Sequence, residues 1–282
     1  MAAFLKSAIM RPQVQRAWLV LPALLLLLVV FAYPVGSLLL RSFSEPRWGF
    51  QNFVALFTQT VYARALVNTV IISGSVTLIC LLGGYPLAYS IAQAKGQMRR
   101  LLIFAVLIPF WTSILVRTFA WLVLLQNRGV INRTILWLGL SDQPITMVHN
   151  RIGVLVGMVH ILLPFMVLPL YSVMVRISGT YTEAAASLGA TPVRNFLRVY
   201  LPMSWPGVTN GTVLVFVIGL GYFITPALLG GAGDTMIAQL IETEVSDFGQ
   251  WGIAGALSLV LLVGVGVTFA LLFQTGLGIR AR

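Results

Sequence analysis

The side chains able to do covalent or metal chemistry are few and scattered. A single cysteine, Cys80, permits neither an internal disulfide nor a zinc site of several thiolates, and the two histidines, His149 and His160, do not form an H-E-x-x-H pair. No G-x-S-x-G nucleophile elbow is present. Neither lysine, Lys6 or Lys95, follows a glycine, so the chain has no G-x-x-x-x-G-K phosphate loop. The stretch with the most ordered spacing is instead 176–206, RISGTYTEAAASLGATPVRNFLRVYLPMSWP. Thr180 or Thr182 can cap a helix whose first turn holds Glu183, where the helix dipole favours an anion, and Ala184, Ala185 and Ala186 are strong helix formers. Gly189 supplies a stop. Thr191 can then cap a second helix with Pro192 at its first position, where a missing N–H costs nothing. Phe196, Val199 and Tyr200 share one face of it, while Arg194 and Arg198 share another.

The elements that must position this helical elbow are membrane spans. Of 282 residues 59% are hydrophobic and 9% charged, against roughly a quarter charged in an average soluble domain, and the mean hydropathy is +0.94. A soluble chain of this size could not bury so much apolar surface. Long runs free of charge predict an all-α membrane protein with six spans at about 18–40, 66–93, 101–125, 152–175, 207–229 and 252–275. Together they make a transmembrane domain over 18–279, flanked by short termini 1–17 and 280–282, with the elbow 176–206 between spans four and five. The third span either continues past Arg117 or breaks near Pro109. With the N-terminus in the cytoplasm, the inner segments hold eleven cations and one acid, Glu183. The outer ones hold six cations and the other six acids. The positive-inside rule therefore places both termini in the cytoplasm, and the net charge of +11 reads as topology and attraction to anionic lipid rather than to nucleic acid. The first apolar run is too long for a signal peptide and has no evident cleavage site, so it is expected to stay as a span.

The spacing of the elbow is itself informative. Glu183-Ala184-Ala185, three residues, Gly189, nine residues, Val199, one residue and Leu201-Pro202 resembles the EAA loop of type I ABC importer permeases, EAA-x3-G-x9-I-x-LP. Val199 in place of isoleucine is the one departure. Three further fragments are similar to the spermidine/putrescine branch of that family: PFWTSILVRTFAW at 109–121, LLPFMVLPLYS at 162–172 and GYFITPALLGG at 221–231.

The resemblance implies a permease subunit of a bacterial inner-membrane importer rather than an enzyme. The elbow would be a coupling helix, with Glu183, Ala184, Ala185 and Gly189 entering the groove of a cytoplasmic ATPase and Leu201-Pro202 joining it to span five. Two such ATPase subunits would hold the ATP and Mg, and this chain would bind no cofactor and no metal. A second permease, expected to be a related but different chain, would complete the pore, and a periplasmic binding protein would deliver a small cationic solute, first of all a polyamine. Another amine-bearing solute is the alternative. A polycation needs carboxylates and aromatic faces on its route. Trp111, Tyr222, Phe223, Glu242 and Asp247 are the candidates for it, Glu242 and Asp247 being preferred over their neighbours Asp234 and Glu244. Arg117 would repel a polycation, which favours a structural or gating role: snorkelling to the outer interface or holding backbone carbonyls at the Pro109 break. His160 is expected to be a hydrogen-bonded interior residue. A proton-coupled secondary transporter would call for intramembrane carboxylates and internal repeats, and neither is found.

Overall fold

The structure, a computed structural model, describes residues 21–274; the terminal segments 1–17 and 280–282 and the outermost residues of the first and last expected spans lie outside them. The described residues are almost wholly helical, with no strand among them. In chain order the helices are α1 (Leu21–Ser44), α2 (Gln51–Thr58), α3 (Thr60–Gln93), α4 (Gly96–Leu107), α5 (Ile114–Leu125), α6 (Val130–Trp137), α7 (Arg151–Met174), α8 (Gly179–Ser187), α9 (Pro192–Leu220), α10 (Ile224–Leu229), α11 (Ile237–Ser246) and α12 (Trp251–Gln274). Among the described residues six stretches are long and apolar enough to cross a membrane: Leu21–Ser44, Thr60–Gln93, Ile114–Trp137, Arg151–Met174, Pro192–Leu220 and Trp251–Leu271. At 1.5 Å per residue the 34 residues of α3 reach about 51 Å, well beyond the roughly 30 Å of a hydrocarbon core, so α3 sets the height of the bundle.

Prolines act according to where their missing donor falls. Pro86, Pro164 and Pro169 sit inside α3 and α7 without ending them. Pro34 and Pro202 each follow a single π turn, Leu28–Ala32 and Phe196–Tyr200, closed by Tyr33 N donating to Leu28 O and Leu201 N to Phe196 O. A proline cannot donate to the carbonyl four residues back, and the wider turn before it carries the helix across that gap. Pro109 does break its helix: α4 ends at Leu107, a 3-10 turn covers Ile108–Trp111, Thr112 is extended, and α5 starts at Ile114. The third apolar stretch of the sequence is thus two half-helices with Arg117 in the first turns of the second. The fifth expected span ends, as α9, at Leu220, earlier than the 229 expected, because Gly219, Gly221 and the turn to Phe223 interrupt it before the short α10.

The core is a three-helix contact of α3, α7 and α9. Ile72, Val76, Cys80, Met158, Leu162, Met166 and Val215 are fully or almost fully buried there. Small residues let these backbones close up. A Cβ on Gly207 would stand 3.1 Å from Leu170 Cα, and one on Gly211 would stand 2.8 Å from Met166 Sδ. A second cluster, Leu56, Tyr62, Ala65, Ile237, Leu240, Ala256 and Leu257, joins α2, α3, α11 and α12 at the end of the bundle away from the elbow. Among the described residues nothing buries the apolar stretch of α1, which packs chiefly on α12. Its exposed leucines and valines face whatever surrounds the bundle, which for an apolar surface of this extent is lipid or another membrane helix.

Candidate functional site

At one end of the bundle the elbow stands clear of the spans. Its first arm, α8, is capped by Ser178, whose hydroxyl accepts from Thr180 N at 3.3 Å; the cap is neither Thr180 nor Thr182, whose own hydroxyls bond to Ser178 Oγ and Gly179 O. Because Gly179 opens the helix, Glu183 lies beyond its first turn, so the dipole argument for a carboxylate at that place does not apply. Glu183 and Ala184 are exposed, and Ala185 is partly covered. The arm ends in a Schellman motif: Gly189 N donates to Ala186 O at 2.9 Å and Ala190 N to Ala185 O at 3.0 Å, with Gly189 at φ +79°. No atom lies within 4 Å of where a Gly189 Cβ would be, so the backbone angle alone demands glycine there. Thr191 caps the second arm by accepting from Arg194 N at 3.4 Å, with Pro192 at its first position, as the spacing predicts. Asn195 Nδ2 donates to Thr182 O at 3.1 Å and fixes the two arms to one another. The second arm roots in the bundle through an aromatic group: Phe196 meets Tyr85 and Tyr89 edge-on at 6.0 Å each, Tyr200 meets Tyr89 at 5.0 Å, and Tyr85 and Ser204 share a 2.8 Å hydrogen bond. Val199 is partly buried beside them, and Leu201-Pro202 carries the arm into the main run of α9. Leu188 is 89% exposed at the corner, so the elbow presents an apolar tip beside one carboxylate to the outside of the chain.

The aromatic and acidic candidates fall at two other heights. Midway along the bundle, Trp111 is mostly exposed on the 3-10 turn, its ring 5.6 Å from Phe104. Arg117 Nη2 donates to Thr112 O at 3.2 Å, which ties the guanidinium to a carbonyl at the helix break, and its Nε is buried with no partner among the described residues. With Pro109, Phe110, Pro164 and Phe165 it lines a cavity of about 360 Å³. One turn further along α5, Trp121 Nε1 donates to His160 Nδ1 at 3.1 Å, so His160 is hydrogen-bonded but only half-buried. Tyr222 and Phe223 lie half-buried in the break between α9 and α10.

At the end opposite the elbow, Glu242 and Asp247 are exposed on and just after α11. The buried acid is Glu244, which the sequence reading ranked below them. It is 5% exposed, its Oε1 accepts from Tyr62 Oη at 2.8 Å, and its Oε2 has no partner among the described residues. The pattern that identifies it is helical spacing: Ile237, Leu240 and Ile241 make the apolar face of α11, and Glu244 is the next residue on that face, whereas Glu242 points away. Beside it runs a polar clasp that no local pattern reveals. Arg151 Nε pairs with Asp234 Oδ1 at 3.0 Å and Arg151 Nη2 donates to Asn68 Oδ1 at 2.8 Å. Asn68 Nδ2 donates to Gly233 O at 2.7 Å and Thr235 O at 3.3 Å, and Ile237 N donates to the buried Thr69 hydroxyl. Glycines make this closeness possible: a Cβ on Gly231 would stand 2.4 Å from His149 O, and one on Gly157 2.6 Å from Thr225 Cγ2. The structure therefore gathers the candidates into three places, an exposed elbow, a broken helix at mid-height and an acidic far end, rather than into one pocket.

Comparison with known proteins fits this architecture. The chain is 36% identical over 251 residues, 88% of its length and 86% of the relative's, to the spermidine/putrescine transport system permease protein PotB of Haemophilus influenzae. It is 34% identical over 226 residues, 80% of its length and 82% of the relative's, to the protein of the same name in Escherichia coli K12. Among solved structures, a bacterial ABC transporter involved in import of the acidic polysaccharide alginate superposes with a TM-score of 0.74, covering 96% of this chain and 98% of the matched one at 23% identity, which shows the shared fold. Residues 84–282 match the family described as binding-protein-dependent transport system inner membrane component. With its six apolar stretches and these relatives, the chain belongs to that family: it is a multi-pass inner-membrane permease subunit of an ABC importer.

Proposed function

We propose that this permease forms half of the pore of an ATP-driven importer of polyamines of the spermidine and putrescine type. The observation that carries the coupling half of this reading is the elbow: a rigid, self-capped corner, free of the bundle, that offers Glu183, Ala184, Ala185 and the Gly189 turn to a partner. Two cytoplasmic ATPase subunits would receive such corners, one from each permease, and would hold all the ATP and Mg, this chain binding no cofactor. The elbow end is then cytoplasmic, as are both termini, and the end carrying Glu242 and Asp247 faces a periplasmic binding protein. ATP closure would draw the elbows together and open the bundle outward, and hydrolysis would reset it. The aromatic group of Tyr85, Tyr89, Phe196 and Tyr200 supports this, because it locks the second arm to α3 and lets a movement of the corner reach the core.

The substrate half rests on the named polyamine relatives, each matched over four-fifths or more of this chain. Trp111, Tyr222, Phe223, Glu242 and Asp247 remain the proposed pathway, and the buried Glu244 joins them as the one carboxylate at that end with a free, desolvated oxygen. Import of labelled spermidine and putrescine into proteoliposomes bearing the purified complex, with ATP inside or outside and with an ion gradient alone, tests the whole reading. Uptake that needs ATP and the binding protein is the expected result. Uptake driven by the ion gradient without ATP, or ATP-driven uptake of a different solute only, overturns the coupling or the substrate half respectively.

A further inference from the structure

At the end away from the elbow, α1 runs out at Ser44 and α12 begins at Trp251, and between them lies a cavity of about 620 Å³ lined by Glu45, Gln51, Asn52, Gln250 and Trp251. None of these residues belongs to the elbow, the helix break or the clasp. The walls are held in place. Asn52, 5% exposed, donates from Nδ2 to Ser42 O at 2.8 Å and to Glu45 O at 2.7 Å, Gln51 Nε2 donates to Arg47 O at 2.8 Å, and Gly49 N donates to Phe43 O at 2.8 Å. A Cβ on Gly252 would stand 2.7 Å from Glu45 O, so only a glycine lets α12 come this close to the turn after α1.

Two charges of opposite sign border this cavity. Glu45 lines it, and Arg41, one helical turn earlier, reaches Glu45 Oε1 at 3.6 Å while its guanidinium carbon stands 5.1 Å from the centre of the Trp251 ring. At 3.6 Å the pair is loose and both side chains are almost half exposed, so the guanidinium keeps donors and the carboxylate keeps acceptors for another group. A simple cation would be repelled by Arg41 and a simple anion by Glu45, whereas a zwitterion satisfies both. The height of the cavity says which kind of zwitterion reaches it. It sits where two apolar spans, Leu21–Ser44 and Trp251–Leu271, have their far ends, and Trp48, Phe50 and Phe248 in the adjoining turns are mostly exposed, as aromatic side chains are at a membrane–water interface. The apolar side of α1 beside it is uncovered among the described residues, which leaves this corner open to the bilayer.

We infer that the cavity holds the headgroup of a zwitterionic phospholipid carrying a phosphate and a primary ammonium, of the phosphatidylethanolamine type. The phosphate accepts from the Arg41 guanidinium in place of its loose contact with Glu45, and the ammonium donates to the Glu45 carboxylate, with the amide oxygens of Gln51 and Gln250 as further acceptors. The acyl chains then lie along the exposed apolar side of α1, on which Leu40 is 59% exposed one turn below Ser44. A headgroup held in this way bridges the turn after α1 to the first turn of α12, whatever solute the permease carries.

The test uses the intact purified complex in nanodiscs of phosphatidylglycerol mixed with phosphatidylethanolamine or with phosphatidylcholine, followed by native mass spectrometry of the released complex. Phosphatidylethanolamine is expected to stay bound in preference to both others, because phosphatidylcholine has no ammonium N–H to donate and phosphatidylglycerol has no cation for Glu45. Glu45→Gln is expected to lower the retained phosphatidylethanolamine by about fivefold without lowering retained phosphatidylglycerol, whereas Arg41→Gln lowers both. Both side chains are partly exposed and bonded only to one another, so the two variants should melt close to wild type and report on binding. A photo-reactive phenylalanine in place of Trp48, in the turn between Pro46 and Gln51, is expected to cross-link to phosphatidylethanolamine. Equal retention of the three lipids overturns the inference, as does undiminished retention of phosphatidylethanolamine in Glu45→Gln. Cross-links to a protein chain alone would assign this corner to a subunit contact instead, and displacement of the retained lipid by free spermidine would assign the cavity to a soluble amine; either result overturns it too.

Discussion

The elbow and the far-end clasp are both built from glycines and short polar side chains, and they are held together at very different ranges. Every side-chain hydrogen bond within the elbow spans at most 13 residues, from Asn195 to Thr182. The clasp joins residues 83 apart, Arg151 to Asp234 and to Asn68, and 165 apart, Asn68 to Gly233. The elbow can therefore keep its shape while it moves as a unit, whereas the clasp holds α3, α7 and the 230–236 loop in one fixed arrangement. A part that transmits motion and a part that resists it are to be expected at opposite ends of a bundle that opens to alternate sides.

The sharpest way to break this contrast is at the corner of the elbow. Gly189→Val places a β-branched residue at φ +79°, a strain of about 1–2 kcal/mol, although nothing crowds its side chain. The expected result is loss of ATP-driven uptake by tenfold or more per folded, inserted molecule, with a melting temperature lower by only a few degrees, while Gly189→Asn, which tolerates this backbone angle, stays close to wild type. Unaltered uptake in the valine variant would falsify the coupling role of the elbow.

In the clasp the same kind of change should act on stability instead. Asn68→Ala leaves Gly233 O and Thr235 O without their donor and Arg151 without one acceptor, a cost of about 1–3 kcal/mol. Thermal melts should fall by several degrees. Uptake should drop only with the amount of folded protein, and the ratio of ATP hydrolysed to solute carried should not change. A raised ratio would show that the far end takes part in coupling and would erase the distinction between the two regions.

These two ranges also explain what the sequence makes legible. The elbow follows from contiguous residues, so Gly189, Thr191 and Pro192 are readable from local propensities. The misreadings there are one turn in size: Ser178 takes the cap because Gly179 after it can open the helix, and Glu183 moves back accordingly. The break at Pro109 is signalled by a proline eight residues ahead of an arginine in an apolar run, though whether a proline breaks a helix is a tertiary matter, since Pro86 and Pro164 do not. Clasp partners are invisible for a plain physical reason. Asn68 lies in an apolar run of α3 and Asp234 in a glycine-rich loop, and only folding sets them beside Arg151. Glu244 lies between these cases, for its place on the apolar face of α11 can be read from spacing, but the phenol that receives it is 182 residues away.

A smaller effect is expected where the far end buries its acid. Tyr62→Phe leaves both oxygens of the Glu244 carboxylate without a donor, a loss of about 1 kcal/mol or somewhat more. Removing both polar groups, as Tyr62→Phe with Glu244→Leu, should recover most of that stability, because no polar atom is then stranded. If Glu244 serves only to fix α11 to α3, the double variant will carry solute as well as wild type. Impaired uptake of cations in a double variant that melts normally would place Glu244 on the route.

The smallest effect belongs to Asp247, which is exposed and makes no side-chain bond among the described residues, so Asp247→Asn should leave the melting temperature untouched. Any change it brings must come from its charge acting through water, and such an interaction is screened within about 8–10 Å at physiological salt. The expected outcome is a reduction of at most a few-fold in uptake of a trivalent amine, less for a divalent one, absent for a neutral solute, and vanishing as ionic strength is raised. That ordering is diagnostic because a solvated carboxylate attracts in proportion to the charge of the solute, whereas a carboxylate that only steadies the loop after α11 would affect all three solutes alike and would not respond to salt.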